Sequence, residues 1–258
     1  MRKRRKKEKD KDLYETVEEV FDYSTLMALY KLVNKRIIDR MYGFCKTGKE
    51  SRVYWAKSPK GEDLAVKIYL ITAAEFKKGI RKYIESDPRF EGVRGDFRRI
   101  IYAWARKEFI NLKEAHVAGV NVPKPIAVEK NVLVMSFIGE NGIPAPLLRE
   151  YTPEDPELFW KEVFVGVKRL YAVANLVHTD LSEYNIMVFK EKPYFFDFGQ
   201  ALHKDSPMAD EFLWRDVNNL RRYFVEELSL SLPDTEDLYL WVLGRKVIQE
   251  LEEFFLSL

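Results

Sequence analysis

His178-Thr179-Asp180-Leu181-Ser182-Glu183-Tyr184-Asn185, with Phe196-Asp197-Phe198-Gly199 a short way downstream, decides how this chain is read. The order is H-x-D-x-x-x-x-N and then D-F-G. One carboxylate beside an attacking hydroxyl, plus a neutral amide and a second carboxylate to hold a divalent cation against phosphates, is the minimum set for phosphoryl transfer. Between the two motifs, NIMVFK and PYFFDF read as a short pair of strands. A loop followed by a hairpin brings Asp180, Asn185 and Asp197 to one side of a cleft. His178 reads as a structural hydrogen-bonding residue.

Upstream, residues 98–118 read as a long helix that Asn121-Val122-Pro123 breaks off. Ile101, Trp104, Ala105, Leu112 and Ala115 form one apolar stripe on it, and Glu108 falls within that stripe, where an acid requires a partner. Lys67 in Ala65-Val66-Lys67-Ile68 is the candidate partner. On a strand it shares a face with Ala65 and Tyr69, and a lysine there needs an anion if the strand is interior. An edge-strand lysine and a rim glutamate are the plainer alternatives. Lys46-Thr47-Gly48-Lys49-Glu50-Ser51, with Gly43, nearly spells the G-x-x-x-x-G-K-[ST] phosphate loop. Glu50 replaces the required hydroxyl and a strand follows instead of a helix, so that reading fails. A glycine loop between two strands still covers phosphates with backbone amides; an ordinary hairpin turn fits equally well.

The rest of the chain follows from periodicity. Residues 24–41 read as a helix capped by Ser24. SRVYWAK and DLAVKIYL form a hairpin about the turn SPKG, and IAVEK and NVLVMSFIG read as further strands. Residues 79–97 form a Gly- and Arg-rich insertion expected to be mobile, with Ser86 as its only Ser or Thr and a candidate autophosphorylation site. Helices are predicted from Asp155 onward and near 209–228 and 234–257. The expected fold is α+β and bilobal, with a strand-rich first lobe over 13–135, a hinge at 136–142 and a reduced helical lobe over 143–258.

Composition sets the frame. The chain has 258 residues, 47% hydrophobic and 33% charged, enough to bury a core. A single cysteine, Cys45, excludes a disulfide framework and a Cys-rich zinc module and fits a reducing, cytoplasmic setting. No apolar run is long enough to span a membrane, and the N-terminus lacks a secretory h-region. Residues 1–12 hold eight Lys/Arg against three acids, so a basic tail precedes a nearly neutral globule. It reads either as a solvated disordered tail or as an electrostatic arm for RNA.

Together these motifs resemble the protein-kinase superfamily and, in detail, the RIO family of atypical serine/threonine kinases. KTGKES is similar to the RIO glycine loop, and LVHTDLSEYNIM and HKDSPMADEFLWRDVNNLRRYF resemble the first RIO subfamily over residues 13–258. The resemblance implies ATP and Mg²⁺ as ligands, with Mn²⁺ a substitute. It implies Lys67, paired with Glu108, on the α/β-phosphates and Lys46–Ser51 over them. Met135, Ser136 and Ile138 face adenine, Asp180 is the catalytic aspartate, and Asn185 and Asp197 are the metal ligands. Asp197 is also a candidate acceptor of an aspartyl-phosphate. A role in small ribosomal subunit maturation follows, with pre-ribosomal protein and rRNA as partners and neither DNA nor membrane. The departures matter as well. Ser182 stands where many kinases carry lysine, only 59 residues follow Gly199, and no A-P-E motif is present. Slow peptide phosphorylation is therefore expected, with ATP hydrolysis beside it. The alternatives are a small-molecule phosphotransferase of the same fold and an ATP-regulated ribosome-binding scaffold.

Overall fold

The computed structural model describes residues 22–257 apart from 49, 72–75, 86, 91, 94 and 95. The basic tail, Lys49 and Ser86 lie outside the described residues. Helix α1 spans Tyr23–Asn34, and its N-cap is Asp22, whose carboxylate accepts from the Ser24 and Thr25 amides, not Ser24 as the sequence suggested. It stops seven residues earlier than expected, because Arg36 takes a left-handed backbone (φ 55°) and turns the chain into a strand.

The first lobe is a five-stranded antiparallel sheet: β1 (Arg40–Thr47), β2 (Ser51–Lys57), β3 (Asp63–Tyr69), β4 (Pro125–Glu129) and β5 (Val132–Ser136), in spatial order β1-β2-β3-β5-β4. The expected hairpin is β2–β3, in register at Val53↔Lys67 and Tyr54↔Val66. Strand alternation divides β3 cleanly. Leu64, Val66 and Ile68 pack with Ala28, Leu29 and Leu32 of α1, whereas Ala65 and Tyr69 join a second core. Burying a side chain such as Leu32 contributes roughly 1.5–3 kcal/mol.

That second core runs without a break into the helical lobe. Its axis is α3 (Phe97–Val117), capped by Asp96 and lying against the sheet's inner face. The insertion before it is more ordered than its glycines suggested. Helix α2 (Phe76–Glu85) and a 3₁₀ turn (Pro88–Phe90) place Ile80, Tyr83, Ile84 and Phe90 in the core against α3. Beyond β5 come the short hairpin β6–β7 (Gly139–Glu140, Ile143–Pro144) and α4 (Pro156–Ala172). Then follow β8 (Leu176–Val177), the hairpin β9–β10 (Ile186–Phe189, Lys192–Phe195), β11 (Leu202–His203) and α5 (Ala209–Arg222). A π-helical turn (Tyr223–Glu227) ends the segment expected as helix to 228. The predicted helix 234–257 is two helices, α6 (Thr235–Val242) and α7 (Gln249–Ser257), parted where Gly244 adopts φ 71°. The architecture is the two-lobed α+β arrangement that the motifs implied. No helix among the described residues is long and apolar enough to cross a membrane.

Candidate active site at the lobe junction

Lys67 sits in the middle of the sheet, not at an edge, because β3 lies between β2 and β5. Its face turns toward α3, where Glu108 meets it: Lys67 Nζ donates to both Glu108 oxygens at 2.8 and 2.9 Å and to Asp197 Oδ1 at 2.9 Å. Lys67 and Glu108 are buried, whereas the Asp197 side chain is 55% exposed. Burial works against the Lys67 charge, but the Asp197 and Glu108 carboxylates outweigh it and hold the ammonium protonated well above its ordinary range. Burial pushes the Glu108 carboxyl up to about 7 against the pull of Lys67, and the Lys67 ammonium holds Asp197 below the usual carboxylate range.

The H-x-D-x-x-x-x-N loop is built by neighbours the sequence did not advertise. Asp216 on α5 accepts from the Thr179 amide at 2.8 Å and the Leu181 amide at 2.9 Å, so it grips the backbone on both sides of Asp180. Arg215 donates to the Thr179 carbonyl. These bonds hold Thr179 at φ 71°, a left-handed backbone that a β-branched residue adopts only under constraint. Burial raises the Asp216 carboxyl to about 7 despite its two amide donors. Asn185 Nδ2 donates to the Asp180 carbonyl at 2.7 Å, which leaves Asn185 Oδ1 turned away from that bond. His178 donates from Nε2 to the Phe196 carbonyl at 2.9 Å and packs edge-on to Phe198, the structural part expected of it. Burial holds its imidazole below the ordinary histidine range.

Asp197 itself stands at φ 66°. The loop after it passes so close to α3 that a Cβ on Gly199 would lie 2.9 Å from the Trp104 ring, which explains the glycine. Lys107 and Asn111 on α3 hold the same loop and were missed at sequence level. Lys107 Nζ donates to the Gly199 and Ala201 carbonyls, and Asn111 Nδ2 donates to Phe198 O at 2.9 Å and Ala201 O at 3.2 Å. Burial lowers the Lys107 amine to about 7, against the nearby Asp87 carboxylate. Asn111 was legible in retrospect, since it follows Glu108 by three on the apolar stripe.

Between the lobes lies a cleft of about 350 Å³. Val53, Ala65 and Met135 form its roof, Met187 and Phe196 its floor, and Ser136 and Ile138 its inner edge; Lys67, Glu108 and Asp197 close its far end. Lys46, Gly48, Glu50 and Ser51 line the mouth, while Thr47 pairs with Arg52 in the strands that form it. An apolar slot ending in a lysine and two carboxylates suits a flat heteroaromatic ring with a polyanionic tail. Asp180 and Asn185, on the neighbouring loop, are not among its lining residues.

Comparison with known proteins agrees with this geometry. The RIO domain family pattern matches residues 52–237. The RIO-type serine/threonine-protein kinase Rio1 of Haloferax volcanii is 42% identical over 92% of this chain and 80% of its own length. Its namesake from Methanocaldococcus jannaschii is 39% identical over 90% and 78%. Human serine/threonine-protein kinase RIO1 is 35% identical over 96% of the chain, which spans 44% of that longer protein. Among solved structures, the Chaetomium thermophilum Rio2 kinase in its ADP/Mg²⁺-phosphoaspartate complex superposes with a TM-score of 0.61 at 20% identity, covering 89% of this chain and 73% of that one. The last comparison establishes a shared fold.

Proposed function

Because the chain belongs to the RIO family of atypical serine/threonine protein kinases, and within it to the Rio1 subfamily, we propose that its cleft binds ATP with a divalent cation and transfers the γ-phosphoryl group to a hydroxyl. The observation that carries this reading is Lys67, held within 2.9 Å of both Glu108 and Asp197 at the closed end of an apolar slot. The adenine ring occupies the slot between Ala65 and Met187, and Lys67 contacts the α/β-phosphates. Among the described residues no group of three or more His, Cys, Asp or Glu side chains converges as a metal cage. The donors are instead the Asn185 amide oxygen and an Asp197 carboxylate oxygen, a sparse hard-oxygen set that fits Mg²⁺, which keeps waters and shares phosphate ligands. When bound, Mg²⁺ neutralises charge developing between the β- and γ-phosphates. Asp180 accepts the proton of the attacking hydroxyl as its oxygen bonds to the γ-phosphorus and the bond to the β-phosphate oxygen breaks.

Two finer points belong to the same proposal. The Rio2 relative was captured with a phosphoaspartate, and Asp197, partly exposed beside Lys67, is the corresponding candidate acceptor here. A role on the maturing small ribosomal subunit is supported by the basic tail, whose cations suit rRNA phosphates. Incubation with γ-labelled ATP and Mg²⁺, followed by mass spectrometry, tests the chemistry. Label on protein, on an added Ser/Thr substrate, or in released phosphate supports phosphoryl transfer, and intact ATP under all conditions refutes it.

A further inference from the structure

The insertion between β3 and α3 reaches the phosphate site from behind. Arg89, in its 3₁₀ turn, donates to Asp87 at 2.7 Å, to Glu114 at 2.7 Å and to Asn111 Oδ1 at 2.7 Å. Asn111 spends its other end on Phe198 O, and the fully buried Lys107, 3.8 Å from Asp87, donates to Gly199 O. Arg89 therefore fixes which way the Asn111 amide points, and Asn111 with Lys107 fixes three carbonyls of the loop that starts at Asp197.

Such a cluster is a poor device for stability alone, since apolar residues of similar volume do as well or better. What it supplies is direction. Asp197 sits in a left-handed backbone, and a non-glycine residue stays there only where its surroundings over-determine it. We propose that the Asp87–Arg89 turn is a positioning element for the phosphate site: through Lys107 and Asn111 it holds the Phe198–Ala201 backbone and so sets the direction in which Asp197 presents its carboxylate to a divalent cation. Lys107, Asn111 and Arg89 touch no substrate and act through Asp197. The turn lies outside the cleft, so a partner that lifts the insertion from α3 weakens cation binding without entering the nucleotide slot.

The proposal rests on the ATP-and-cation reading, and its test separates the two. Full-length chain carrying Arg89→Met, Arg89→Lys or Lys107→Met is compared with wild type by two measurements. Calorimetric titration of ADP with and without Mg²⁺ reads cation coupling; hydrogen exchange over Phe198–Ala201 in the metal-free chain reads the brace directly. Arg89→Met is expected to raise the Mg²⁺ concentration for half-maximal coupling at least five-fold, leave cation-free ADP affinity within two-fold, and speed exchange of those amides. Arg89→Lys, which keeps the charge but loses the fork, is expected to recover part of both effects. Should Lys107→Met fail to fold, Arg89, at the rim of the cluster, carries the test. Unchanged exchange and Mg²⁺ dependence in Arg89→Met overturn the proposal, as does an equal loss of cation-free affinity, the mark of general weakening. A wild-type chain that binds no ADP refutes the nucleotide reading, and one whose ADP binding ignores Mg²⁺ refutes its cation part, while the exchange result still decides the brace.

Discussion

Asp197 lines the cleft and is tied to Lys67 at the slot's closed end, whereas Asp180 sits on the neighbouring loop. Asp180→Asn should abolish phosphoryl transfer while leaving MgATP affinity within a few-fold, because the lost base acts on the hydroxyl and not on the nucleotide. Asp197→Ala should lower both. Titration calorimetry beside a phosphate-release assay checks the split, and equal loss of MgATP affinity in the two variants would sink it. Asp216 gives a pH prediction. Its carboxyl holds a proton up to about pH 7 in the folded chain, against roughly 4 when unfolded. Between those values the folded chain binds the extra proton, so unfolding free energy falls as pH rises through that window. Asp216→Asn should flatten the change between urea titrations at pH 5 and 7.5; an identical change in both proteins refutes the assignment. Asp180 and Asn185 stand out in the sequence because the chemistry expected of them demands fixed spacing. Asp216 does not, since a buried acid that accepts backbone amides leaves no mark beyond sitting between Leu213 and Leu220 on an apolar helix face.

Helix α3 carries Glu108 toward the cleft and Trp104, Lys107 and Asn111 toward the Asp197 loop, so one element sets both the Lys67 pair and the loop at the slot's closed end. Its bounds were readable to within a residue because 21 residues of helical periodicity average out local noise. The insertion was misread for the opposite reason. Ile80, Tyr83 and Ile84 have helical spacing, but Gly79 and the flanking charges outvoted so short a pattern. The split of 234–257 turned on a single backbone angle at Gly244. Gly199→Ala tests the closeness of the α3 contact. The added methyl meets the Trp104 ring at 2.9 Å, so the variant should lose about 1–3 kcal/mol of stability and bind MgADP more weakly. Thermal unfolding and calorimetry measure both, and wild-type values in each would show that the loop has room.

For the whole molecule, the basic tail and the globule should behave as separate agents. Deleting residues 1–12 should reduce RNA affinity and its salt dependence while ATP hydrolysis stays unchanged. With Z phosphate contacts on a single strand, log K falls with log salt at a slope of about −0.7Z. Binding titrations from low to high salt check this, and an unaltered slope after the deletion returns the tail to a solvating part. The two-lobed plan was legible from the order of strand and helix signals. The sharing of one core between the lobes was not, because contacts between distant segments leave no periodic trace. That shared core bears on time. Swinging the lobes apart would wet the apolar surface around Trp104 and Phe198, so on the proposed function the nucleotide is expected to leave through the mouth lined by Lys46, Gly48 and Ser51. Departure is then expected to be slow compared with chemistry, with spent nucleotide lingering as an internal clock. Pre-steady-state assays should show a burst of one product per chain followed by a slow phase matching ADP escape.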